Sequence, residues 1–321
     1  LKNNHYDQKI LFGFVCVTLA LVWVSLFTGI KNIQFSELFT DPEKWMFFMI
    51  SRFPRTLSLV LIGAGLSIAG FIMQQIAQNK FVSPTTAGSL DAAKMGILFS
   101  LILLPQATLI GKMISALLFT FLASLVFMLI IRKVKFRNSV FIPLAGIMFG
   151  NILGAIATFF AYKNNIVQNT QEWMLGDFSA VMQGQYETIY LILPIVILTY
   201  IYADRLTIVG MGDSFARNLG LSYGTVVNMG LFAVSLIVSA SVVTVGAIPF
   251  VGLVIPNIVS MILGDNLRKT LPYSALVGAA FLLFCDILGR IMIFPYEIPI
   301  GMMVGVIGGI TFLILIIKKS R

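Results

Sequence analysis

Long apolar runs follow one another along this chain with almost nothing between them. They fall at about 10–30, 55–77, 92–105, 109–131, 139–162, 188–203, 225–246, 250–264, 272–294 and 299–317. A helix that crosses a bilayer needs about 20 apolar residues, so 321 residues hold about ten spans and no sizeable soluble domain. Charged residues are 11% of the chain, against roughly 25% in soluble domains. The expected fold is therefore an all-α polytopic membrane protein, one transmembrane domain over residues 1–321. The first run is long enough to span and lacks a small-residue cleavage site, so it reads as a span and not as a removable signal peptide.

The formal net charge of +9 would point to nucleic acid in a soluble protein. Here it reads as topology, because Lys and Arg collect in cytoplasmic loops. Alternating the runs from a cytoplasmic N-terminus puts the RKVKFR loop (132–137) and the KKSR tail (318–321) inside. Both termini are then expected in the cytoplasm. No nucleic-acid partner is expected.

The stretch from Gly246 to Gly309 is broken by Pro249, Pro256, Pro272, Pro295 and Pro299, and its apolar runs carry Asp286 and Arg290. Broken helices and buried charges both cost free energy in lipid. An inert anchor has no use for them; a protein that moves something through itself does. No GxxxxGK[ST] occurs, so ATP is not bound through a P-loop. His5 is the one histidine, and Cys16 and Cys285 lie in distant apolar runs, where they read as two buried free thiols. No metal site, cofactor site or catalytic set is expected, and the chain does not read as an enzyme.

Three features could carry a mechanism. Arg52-Phe53-Pro54-Arg55 opens the second run on the outward side, with Pro54 in the first helical turn, and Arg290 nears the same membrane face. These arginines either snorkel to the interface or form a docking site for carboxylates, which guanidinium binds bidentately. Asp286, one turn before Arg290, is placed to pair with it. The second feature is the polar inward loop 204–224, where Ser214 could cap a short helix through Phe215, Ala216, Arg217, Asn218 and Leu219, ended by Gly220. It is either an ordinary loop helix or a lever for another protein. The third is a pair of glycine stripes, Gly146/Gly150/Gly154 and Gly301/Gly305/Gly309. Such stripes serve internal packing, a subunit interface or the lining of a pathway.

Together these segments resemble the FecCD family, the permease subunits of ATP-binding-cassette importers for iron–siderophore, haem and cobalamin. The resemblance runs through Arg52–Arg55, GAGLSIAGFIMQQ (63–75), the NKFVSP turn (79–84), MGDSFARNLGL (211–221), PFVGLVIPNI (249–258), DILGR (286–290) and EIPIG (297–301). It implies a type II importer permease fold of ten spans, paired with a second permease subunit around a central pathway in the bacterial cytoplasmic membrane. It also implies that Asp213, Ser214, Phe215, Ala216, Arg217, Asn218, Leu219, Gly220 and Leu221 fit a groove on a separate ATPase subunit. Arg52, Arg55 and Arg290 stand where the family's outward arginines meet acidic residues of an extracytoplasmic substrate-binding protein.

The chain departs from the family twice. The commoner Pro-His-x-x-Arg is here Pro256-Asn257-Ile258-Val259-Ser260, and the usual Asn-Pro-Leu-Ala turn is Asn79-Lys80-Phe81-Val82. The variant SPTTAGSLDAAKMGIL, with FIPLAGIMFGN, looks like the branch for catecholate-type siderophores such as petrobactin and anguibactin, so a ferric siderophore is the implied solute. The rival readings are a haem or cobalamin permease and an ion-coupled carrier. The latter needs titratable residues near the bilayer midplane, for which Asp286 is the candidate.

Overall fold

The computed structural model describes residues 2–29, 34–133 and 140–319. Most of the RKVKFR loop and the end of the KKSR tail, on which the expected topology rests, lie outside them. Every regular element among the described residues is a helix, in keeping with the all-α expectation.

The helices are α1 (Lys2–Phe27), α2 (Pro42–Phe47), α3 (Phe53–Ile76), α4 (Ser89–Leu103), α5 (Leu109–Lys133), α6 (Phe141–Lys163) and α7 (Val167–Trp173), followed by α8 (Ile192–Ile201), α9 (Ala203–Gly210), α10 (Asp213–Asn218), α11 (Tyr223–Val245), α12 (Val251–Leu263), α13 (Leu267–Ile291) and α14 (Ile300–Lys319). Helix α3 is the hub: it packs on α13, α11 and α12, while α1 and α14 lie outside it against α13. Helix α6 meets the bundle mainly through α4.

Lipid tails are as apolar as leucine, so close van der Waals packing and not burial from water holds such helices together. The sequence supplies the means in the small residues of α3. A Cβ on Gly70 would collide with the backbone of Gly252 in α12, and one on Gly63 with the backbone of Gly278 in α13. Pro256 belongs to the first contact. It cannot donate to the carbonyl four residues back, which is that of Gly252, the group lying against Gly70.

Among the described residues, seven helices are long and apolar enough to cross a membrane, or eight if the bent pair of Glu187–Ile201 and Ala203–Gly210 is one span. The about ten spans expected from the runs are thus not reached by length, although each run forms a helix. The sixth run bends by 66° at Tyr202. The third and eighth runs give helices of only 15 and 13 residues, α4 and α12. Gly96 touches Ala116 of antiparallel α5, so at 1.5 Å per residue α4 begins about 15 Å short of the end of α5. The loop 77–88 descends into the bundle before α4 starts. Helix α12 begins at a similar depth, where Phe250 takes a left-handed backbone (φ 64) and turns the chain.

One local expectation needs correction: Cys16 is exposed on the outer face of α1, and only Cys285 is buried. Pro54 stands in the first turn of α3, as expected, but the chain before it is already helical from Pro42, capped by the Asp41 carboxylate, and runs through a π-helical turn at Phe48–Arg52. Lacking an N–H, Pro54 leaves the carbonyl of Ile50 without its helical donor, and the amide of Gln183 fills the place at 3.0 Å.

Candidate functional site

The π turn and the last turns of α13 bring the three predicted arginines together at one end of the bundle. Arg55 donates from Nη2 to Asp286 Oδ1 at 2.8 Å and from Nη1 to Glu297 Oε2 at 2.7 Å. Asp286 Oδ2 pairs with Arg290 one turn on. Arg290 also donates to the carbonyls of Ser25 (3.0 Å) and Thr28 (2.8 Å) and to the Ser25 hydroxyl (2.8 Å), tying α13 to the end of α1. Arg52 packs over Gly29, where any side chain would strike its guanidinium. Phe47 and Tyr296 complete a cleft of about 390 Å³ around these groups.

Three guanidinium groups thus face two carboxylates, Asp286 and Glu297, leaving the cleft with a surplus of positive charge. The arginines are not equally available. Arg290 is 4% exposed and engaged from both terminal nitrogens, so the structure gives it the internal pairing that its spacing from Asp286 allowed. Arg55 has 13% of its side chain exposed, and its partner Glu297 has 23%, the most open group of the network. The face that meets solvent is therefore Arg55 with Glu297, while Arg290 and Asp286 are the floor beneath it.

At the other end of the bundle, α10 stands in the predicted loop. It starts two residues earlier than expected: Gly212 holds the cap position, Asp213 is the first helical residue, and Ser214 makes no capping bond. Gly220 ends it with a left-handed backbone (φ 74), as predicted. Ala216 is fully buried, whereas Met211, Phe215 and Leu219 are exposed at helical spacing. Arg217 Nε donates to Asp213 Oδ1 at 2.7 Å, which holds the guanidinium more firmly protonated than usual. The loop is fastened behind: Thr207 Oγ1 accepts from the amide of Leu267 at 3.1 Å, and Asp204 pairs with Arg268 at 2.6 Å. Helix α9, on which α10 packs, is thus tied to the start of α13.

The glycine stripes divide. Side chains at Gly146 and Gly150 would meet the 86–91 segment, and one at Gly154 would approach Asp91 Oδ1 at 3.2 Å. Gly301 abuts the Leu175 carbonyl. These four pack internally. Gly305 faces open space and Gly309 almost so.

Two features escaped the sequence reading. Asp91, in the first turn of α4, lies against Gly150 and Gly154 halfway down α6. It thus lies midway along α6, whereas Asp286 sits at the end of the bundle with the three arginines. Its place just before an apolar run was the available signal. The second is that the chain's two departures from the family pattern touch. Lys80 Nζ donates to Ser260 Oγ at 3.0 Å and pairs with Asp265, while Asn257 Nδ2 donates to the Lys80 carbonyl at 2.8 Å.

A sequence model of the FecCD transport family matches residues 17–318. Over 314 residues the chain is 50% identical to the petrobactin import system permease protein YclN of Bacillus subtilis, covering 98% of this chain and 99% of that one. It is 49% identical over 311 residues to the ferric-anguibactin transport system permease protein FatD of Vibrio anguillarum, covering 97% and 99%. Among solved structures, an inward-facing ABC transporter of metal-chelate type matches with a TM-score of 0.82 at 25% identity, covering 97% and 99%.

Proposed function

The chain belongs to the FecCD transport family, and from that membership we propose that it is the membrane-spanning subunit of an ATP-driven importer for a ferric siderophore of catecholate type. The observation that carries this reading is half identity, along nearly the full length, to permeases named for petrobactin and anguibactin.

In this reading the ten apolar helices act as ten membrane segments, with α4 and α12 completed by the loops that enter the bundle beside them, and both termini lie in the cytoplasm. Two such subunits enclose the pathway. A binding protein carrying the chelate docks on the outward cleft, where its carboxylates compete with Glu297 for Arg55 and are drawn by the surplus charge that includes Arg52 and Arg290. A separate ATPase subunit receives α10, whose exposed Met211, Phe215 and Leu219 suit an apolar groove. Closing of the ATPases moves α10, and the links from Thr207 to Leu267 and from Asp204 to Arg268 pass that motion to α13. Energy enters through protein contacts.

A haem or cobalamin cargo would use the same architecture, but the identities above favour the siderophore. The ion-coupled alternative loses its candidate, since Asp286 is bound by two arginines.

Deleting the gene and restoring it in trans tests the reading. Uptake of radiolabelled ferric petrobactin should vanish and return, and should require ATP. Uptake untouched by the deletion would overturn it.

A further inference from the structure

We propose that the cavity between the 77–88 loop, the C-terminal half of α12 and the last turns of α14 is a station for the anionic chelate on the exit side of the subunit. The inference rests on the importer reading and adds a named site for its cargo.

The cavity measures about 410 Å³, within the range of small-molecule sites. Its polar groups are Lys80, Asn257 and Ser260; Phe81 and Phe312 form an edge-to-face pair in its wall, with ring centres 6.1 Å apart. The lysine sits on a built turn. Phe81 N donates to Asn79 Oδ1 at 2.8 Å, and both N–H groups of Asn257 are spent, on the carbonyls of Lys80 (2.8 Å) and Leu253 (2.7 Å). The backbone beneath the ammonium is therefore held from within the bundle, while the ammonium rests on the Ser260 hydroxyl and the half-exposed Asp265 carboxylate.

An ammonium has three donors, and here one goes to Ser260 Oγ and one to Asp265. The Asp265 side chain is 54% exposed and that of Lys80 35%. Water-exposed ion pairs of this kind contribute little, so exchanging Asp265 for an incoming anion costs little. A ferric catecholate presents anionic oxygens on aromatic rings. The cavity offers one exchangeable cation beside two aromatic rings, matching both features.

The complete importer, with ATPase subunits and binding protein in proteoliposomes, tests this through uptake of radiolabelled ferric petrobactin. Lys80→Gln should lower uptake about tenfold, the usual worth of one charge-assisted hydrogen bond. Lys80→Arg should retain it. ATPase stimulation by the loaded binding protein should be unchanged in both, since docking and α10 are untouched. Asp265→Asn separates the station from a structural latch: it breaks the ion pair but keeps the ammonium, so uptake should hold or rise. Wild-type uptake in Lys80→Gln, or a loss in Asp265→Asn equal to that in Lys80→Gln, would overturn the station. Should Lys80→Gln fail to assemble, Lys80→Cys in a background lacking Cys16 gives the same answer after folding. An aminoethyl thiosulfonate reagent, which restores an ammonium, should restore uptake, and a methyl reagent should not; equal effects of the two would overturn the station. Absence of ferric petrobactin uptake by the wild-type complex would instead overturn the importer reading itself.

Discussion

Arg55 on α3 and Asp286 on α13 meet at 2.8 Å across 231 residues of sequence, and the second oxygen of Asp286 holds Arg290. One carboxylate thus clamps the central helix to its main neighbour directly beneath the arginine cleft. Asp286→Ala would leave a buried arginine without its counter-charge, which typically costs about 3–5 kcal/mol. The variant should unfold at markedly lower temperature in detergent, with Asp286→Asn in between. A thermal midpoint equal to wild type would remove the clamp.

Glu297 is the exposed competitor for Arg55. Glu297→Gln should free that guanidinium and tighten binding of the substrate-loaded binding protein several-fold. Arg55→Glu should weaken it by about 2–5 kcal/mol, the usual result of breaking a paired interfacial charge. Titration of the binding protein onto permease in nanodiscs measures both. Unchanged affinity in Arg55→Glu would separate this cleft from docking.

Phe215 is 45% exposed in a polar loop, while its neighbour Ala216 is fully buried. Phe215→Ala should leave the thermal stability of the subunit within about 0.5 kcal/mol, as for other surface changes, yet release the ATPase during size-exclusion chromatography. Retention of the ATPase at wild-type stoichiometry would contradict the role given to α10.

Gly70→Ala forces a methyl group into the backbone of Gly252. Overpacking typically costs about 1–3 kcal/mol, and this contact cannot relax by a side-chain shift. Gly305→Ala meets open space and should leave the monomer unaffected. If the two variants lost stability equally, the backbone contact between α3 and α12 would not be what holds the hub.

The apolar runs are legible in sequence because each helix must satisfy its own backbone in lipid, and that demand is local. Whether a run becomes a full span is not local. Helices α4 and α12 stop at half depth because the 77–88 loop and the left-handed Phe250 turn the chain inside the bundle, held by contacts such as Gly70 with Gly252 that lie far apart in sequence. The arginine trio was legible by type and position, and so was the pairing of Asp286 with Arg290 one turn on. The burial of Arg290 was not, since its further acceptors, Ser25 and Thr28, come from α1. The meeting of Lys80 with Ser260 was equally hidden, because each substitution looks like a simple loss until the loop and α12 are side by side.

The decisive experiment compares vesicles holding the permease alone with vesicles holding permease, ATPase and binding protein, each offered radiolabelled ferric petrobactin. Accumulation should occur only in the complete set and only with ATP inside the compartment that faces α10. Equal accumulation by the permease alone, driven by a proton gradient, would contradict a subunit that is worked from outside by its partners.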